Sequence, residues 1–68
     1  MKPKSKLERQ LLILHIFHYC RVTEYAEILN LIEGTSRRTI DRDIAELTDA
    51  GLLNVAFSRK RNGFIHYV

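Results

Sequence analysis

Apolar residues recur with helical spacing over most of this chain and gather into strand-like runs only near its C-terminal end. The most regular stretch is Thr35 to Leu53, TSRRTIDRDIAELTDAGLL. Within it Ile40, Ile44 and Leu47 stand at i, i+4 and i+7, which makes one helical face apolar. Ser36 suits an N-cap because its hydroxyl can accept from an otherwise free backbone N–H of the first turn. Gly51 suits a stop because glycine takes the left-handed conformation without a Cβ penalty. The pattern predicts a helix over 36–50. At roughly 100° per residue, Arg38, Arg42 and Ala45 fall on the side opposite the apolar stripe.

An earlier helix is predicted from Lys6 to Cys20, and its pattern is two-sided. Leu12, Ile13, Ile16 and Cys20 make one stripe; Leu7, Leu11, Leu14 and His18 make a second on roughly the opposite side. A single small domain covers one such face, so the second stripe is expected to be covered by something beyond the chain's own core. Its spacing of i, i+4, i+7, i+11 is the seam pattern of one helix packing on another, and predicts a homodimer built on this helix. Between the two helices, a short one is predicted to open at Thr23 as N-cap and run to Leu31 or Ile32. Tyr25 is expected at its edge, with Ala26, Ile28 and Leu29 inward, and Glu33-Gly34-Thr35 forms the turn that follows.

Beyond Gly51, Leu52–Phe57 and Phe64–Val68 read as strands separated by a basic loop. Asn62-Gly63 is a strong hairpin signal because both residues tolerate positive φ; a longer loop would instead carry Arg59 to Gly63 together at the tip. Residues 1–5 show no apolar periodicity and hold Pro3, as expected of a mobile basic arm. The expected fold is mainly α with a small β-hairpin, a three-helix winged helix-turn-helix over residues 6–68 with its wing over 54–68.

The central stretch also resembles the recognition helix of DeoR-type winged helix-turn-helix regulators, whose pattern runs Ser-x-x-Thr-Ile-x-Arg-Asp-Leu-x-x-Leu-x-x-x-Gly-Leu/Ile. The matching residues are Ser36, Thr39, Ile40, Arg42, Asp43, Ile44, Leu47, Gly51 and Leu52. The spacing from Thr23 to Ser36 is two or three residues longer than is usual in that family. The resemblance implies an N-terminal DNA-binding domain of a transcriptional regulator, either complete in itself or the reading head of a larger protein.

Charge sharpens this picture. The 68 residues carry a formal net charge of +3. Residues 1–10 hold Lys2, Lys4, Lys6 and Arg9 against Glu8, and residues 51–68 hold Arg59, Lys60 and Arg61 against no acid, so each end contributes +3 while the middle is slightly acidic. Two basic ends around an arginine-bearing helix suit a polyanion touched at several places. A chain this short has room for one modest core, and gains from a partner subunit. A single cysteine, Cys20, excludes an internal disulfide and fits a reducing, cytoplasmic setting. The run Leu11–Phe17 is too short to span a bilayer, so no membrane association is expected.

The expected partner is double-stranded DNA. Ser36, Arg37, Arg38, Thr39 and Arg42 are the candidate contacts on the helix. Arginine's planar fork pairs bidentately with guanine or grips a phosphate, and helix-turn-helix proteins reach base edges from the first turn of this helix. Arg59, Lys60, Arg61 and Asn62 are the candidate wing contacts to backbone or minor groove. The plainer reading pairs Arg42 with Glu46 and Arg37 with Asp41 as ordinary surface salt bridges. His15, His18 and Cys20 do not share one helix face, so no metal site is expected, and no cofactor. No nucleophile–base pair or phosphate loop is recognisable, which argues against an enzyme. The rival function is a winged-helix protein–protein interaction module, since the fold serves both uses; structured RNA is a weaker third.

Overall fold

Ser5 opens the first helix, its side chain accepting from the Glu8 backbone N–H at 3.2 Å. The computed structural model describes residues 2–67. In chain order it contains α1 (Lys6–Tyr19), β1 (Val22–Glu24), α2 (Tyr25–Leu31), α3 (Arg37–Asp49), β2 (Val55–Ser58) and β3 (Gly63–His66). The strands form one antiparallel sheet in the order β1-β3-β2, with Thr23 opposite Phe64 and Phe57 opposite Phe64 on the two sides of β3. Three helices with a terminal hairpin make this a winged helix-turn-helix.

The core joins Ile13, Ile16 and Phe17 of α1, Tyr25 and Ile28 of α2, and Ile40, Ile44 and Leu47 of α3. Ile32, Leu53 and Phe64 close it from the connecting segments and the sheet. α3 follows the sequence closely. Ser36 caps it by accepting from Thr39 N–H at 3.3 Å, and Gly51 ends it at φ +75°. α1 buries one face, centred on Ile13 and Phe17, while Leu12 and Leu14 are half-buried at its borders.

The start of α2 differs from expectation. Thr23 is not an N-cap; it lies within β1, fully buried, and its hydroxyl has no hydrogen-bond partner among the described residues. The N-cap is Glu24, whose side chain caps nothing, and the Tyr25 N–H donates instead to the Asn62 carbonyl at 3.0 Å. The wing's loop therefore supplies what a capping side chain would have. Tyr25 is buried rather than at an edge because Phe57 and Phe64 of the sheet pack around its ring, and Ala26 is exposed rather than inward.

The hairpin closes at the Ser58–Gly63 pair, so Arg59 to Asn62 form the loop and Asn62 takes the left-handed turn at φ 51°. Gly63 is already strand. A Cβ there would stand 2.9 Å from the Thr23 carbonyl carbon and closer still to its oxygen, so β1 and β3 meet at that point only because the residue is glycine. β2 begins at Val55, leaving Leu52 exposed and Leu53 buried; the expected strand end at Val68 lies outside the described residues.

Candidate nucleic-acid interface

α3 is held on two sides and open on the third. On the side toward α1, Asp43 is completely buried and takes the Arg9 guanidinium in a forked contact, through Nε and through Nη2, the latter at 3.0 Å. This bond holds Arg9 even more firmly in its cationic form. One turn on, Glu46 accepts from Lys6 at 2.8 Å and from the Gln10 amide at 3.0 Å. These two bonds, Lys6 first, hold its carboxyl below the usual range.

The opposite side faces the sheet. There the Tyr25 hydroxyl donates to the Asp41 carboxylate, and the Arg37 guanidinium lies over the Tyr25 ring, 4.0 Å from its centroid. Burial first, and donation to Asp41 second, push the Tyr25 phenol up to about 12. Phe57 and Phe64 pack around Tyr25 with ring centroids 6.1 and 5.1 Å away. Together with Ile44 and Ala45 these residues line an open groove between α3 and β2.

Neither expected surface pair forms among the described residues. Asp41 answers to Tyr25 rather than Arg37, and Glu46 to Lys6 and Gln10 rather than Arg42. The acids that could have neutralised the front of α3 are engaged from its flanks. Arg38 and Arg42 are exposed there, with no hydrogen bond or ion pair among the described residues. The front also carries a residue that periodicity could have flagged: Asp49 stands seven positions after Arg42, exposed on the same side. The basic part of this face is thus its N-terminal half. Helix-turn-helix proteins read base edges from that half.

At the start of α3, the Ser36 hydroxyl also meets the Thr39 hydroxyl at 3.2 Å, so Thr39 is tied into the cap. Thr39 is half-buried, less available than its sequence position suggests. Lys2 and Pro3 line a cleft with Arg9, Gly34 and Ser36, so the described part of the arm lies over the turn before α3. The arm's charge is smaller than the sequence suggests, because Lys6 and Arg9 are paired within the fold and only Lys2 and Lys4 remain. Ser5 belongs to the α1 cap.

In the wing, the side chains of Arg59, Lys60, Arg61 and Asn62 are all exposed and unpaired among the described residues. Their loop is fixed at its base by the Tyr25–Asn62 backbone bond and by Asn62 N–H donating to the Arg59 carbonyl at 3.3 Å. Sequence reasoning missed Tyr25, whose ring lies beneath Arg37, and Phe57, which packs on that ring; an isolated aromatic at a helix start carries no periodic signal.

Of the second α1 stripe, Leu7 and Leu11 are 68% and 56% exposed and His18 is exposed, whereas Leu14 is half-buried against the core. His15 and His18 both pack against the Tyr19 ring, tilted and edge-on respectively, with centroids 4.8 and 4.9 Å away. Among the described residues, no three His, Cys, Asp or Glu side chains converge as metal ligands, and no helix is long and apolar enough to cross a membrane. Comparison with protein-family models, curated proteins and solved structures finds no match to this chain.

Proposed function

We propose that this chain binds double-stranded DNA sequence-specifically, as a non-catalytic transcriptional regulator acting in the cytoplasm. α3 enters the major groove with its N-terminal half, where Arg38 and Arg42 reach base edges or flanking phosphates. The wing loop, through Arg59, Lys60, Arg61 and Asn62, lies on the adjacent backbone or minor groove. Lys2 and the Ser36 end of α3 add phosphate contacts, favoured by the positive end of the helix dipole. The likeness of Ser36, Thr39, Ile40 and Arg42 to the DeoR-type recognition pattern supports the same reading.

The observation that carries it is the freedom of Arg38 and Arg42 on a helix whose neighbouring carboxylates are already engaged. A solvated salt-bridged surface would have paired Arg42 with Glu46 and Arg37 with Asp41, whereas those acids serve Lys6, Gln10 and Tyr25. A protein-interaction module is favoured by one different feature, Phe57, which is 50% exposed beside the groove between α3 and β2. Salt dependence separates the two. DNA binding through several phosphates loses affinity log-linearly with salt, at a slope of about −0.9 per phosphate contact. A shallow slope, or no retention of any duplex, would favour the protein partner.

A further inference from the structure

The exposed face of α1 has a property that neither its apolarity nor its length supplies. Leu7, Leu11, Leu14 and His18 are separated by four, three and four positions, so their spacing reads the same in both directions. An antiparallel two-fold helix pair uses that symmetry, because each residue i then meets a residue j whose counterpart meets i in return. We infer that α1 is the seam of a homodimer, packed antiparallel against α1 of a second copy. Leu7 of one copy then lies against His18 of the other, and Leu11 against Leu14.

Hydrogen-bonding complementarity fits this direction. Glu8 and His15 lie on the same flank of the seam, both exposed, and the Glu8 side chain has no partner among the described residues. In an antiparallel helix pair like flanks face one another, so the Glu8 carboxylate of each copy comes opposite the His15 imidazole of the other, twice per dimer. Antiparallel packing also sets the positive end of each helix dipole beside the negative end of its partner. A parallel pairing would place His18 on His18. The seam is displayed rigidly, because Arg9 and Ile13, on another side of α1, are fixed against Asp43 and the core. α1's bonds to α3 run from Lys6, Arg9 and Gln10 and do not use Leu7, Leu11 or His18, so pairing leaves those bonds intact.

The test contains no DNA, so its outcome is separate from that of the proposed function. Sedimentation equilibrium from low micromolar to about 1 mM, the weak end of specific association, should show a mass rising from the 8.0 kDa of one chain toward twice that value. A mass that stays at 8.0 kDa throughout overturns the inference. Leu7→Glu with Leu11→Glu should abolish the rise while leaving the circular dichroism unchanged, since both side chains are exposed. A dimer surviving that change would place the interface elsewhere.

Direction is read from Cys20, the single cysteine, at the end of α1. Cys20 lies on the side of α1 away from the seam, so with a rise of 1.5 Å per residue and helix axes 8–10 Å apart, spin labels there should sit about 30 Å apart in the antiparallel dimer, against about 20 Å in a parallel one. The short distance would overturn the arrangement. As a second handle, Glu8→Arg should weaken association several-fold, and adding His15→Glu should restore it. Failure of that restoration would break the proposed pairing.

Discussion

The charges at the α1–α3 contact and those on the front of α3 and the wing tip have opposite fates. At the contact, Lys6, Arg9, Asp43 and Glu46 satisfy one another, partly out of reach of water. On the front and the tip, Arg38, Arg42, Arg59, Lys60 and Arg61 stand exposed with no acid engaged among the described residues. The net charge of +3 does not distinguish the two. What matters is where the carboxylates are used, and the fold uses Asp41, Asp43 and Glu46 on the flanks of α3. A basic surface is made here less by adding cations than by drawing anions away from them. Arg37 is the intermediate case, its cation resting on the Tyr25 ring, where such contacts are worth about 0.5–2 kcal/mol depending on exposure.

The largest effect should come from breaking the contact. Asp43→Ala leaves the half-buried Arg9 guanidinium without its counter-charge, and removing one partner of such a pair costs about 3 kcal/mol. Urea denaturation should show that loss, a large fraction of a small domain's stability. Replacing both partners, Arg9→Met with Asp43→Leu, should recover most of it. If Asp43→Ala alone is neutral, the contact is not what fixes α3.

Next comes the anchoring of the wing. Gly63→Ala forces a methyl into the Thr23 carbonyl and should cost about 2 kcal/mol, in the range of overpacked sites. The same variant should loosen the Tyr25–Asn62 bond and lower duplex affinity, because the loop loses its fixed base. Thermal melts together with binding isotherms check both consequences.

Smaller effects sharpen the contrast between free and engaged cations. Lys60→Ala with Arg61→Ala should leave the melt unchanged and reduce the salt slope of DNA binding by about 0.9 for each phosphate that the wing no longer neutralises. Lys6→Ala removes one positive charge too, yet that charge already serves Glu46, so the slope should stay nearly the same. Equal changes in the two variants would erase the distinction.

The smallest effect concerns pH. Tyr25 titrates at about 12, above its ordinary value of 10.0, so its neutral form is favoured by folding. That contribution is fully present below the ordinary value and is lost as pH rises through about 12. Ultraviolet difference titration should show one tyrosine ionising at about 12, a step missing from Tyr25→Phe.

Local signals are legible in the chain and distant ones are not. The α3 helix is written in a cap, a stripe and a glycine within sixteen positions, Ser36 to Gly51, and each behaves as its chemistry dictates. β1 is only three residues long, and it exists because Val22, Thr23 and Glu24 pair with a strand some forty positions later. A threonine before an apolar run therefore imitates an N-cap. The engagement of Lys6 and Arg9 is hidden for the same reason, since their acids lie 40 and 34 positions away. Of the candidate site, residue identity and exposure are readable, while the fate of each carboxylate requires the tertiary contacts. Asn62 and Gly63 divide similarly: the turn conformation falls to Asn62 locally, and the need for glycine at 63 comes from β1.

The central claim is that the free arginines on the front of α3 read base sequence. Selection from a random duplex library with the wild-type chain and with Arg38→Ala tests it most directly. The account predicts that wild type enriches a defined motif, with half-sites about 10 base pairs apart or a multiple of that if two copies bind together. Arg38→Ala should lose about 1–3 kcal/mol of discrimination at one or two positions of that motif, with the others intact. An identical motif of equal strength from both proteins, or no motif from either, would contradict it.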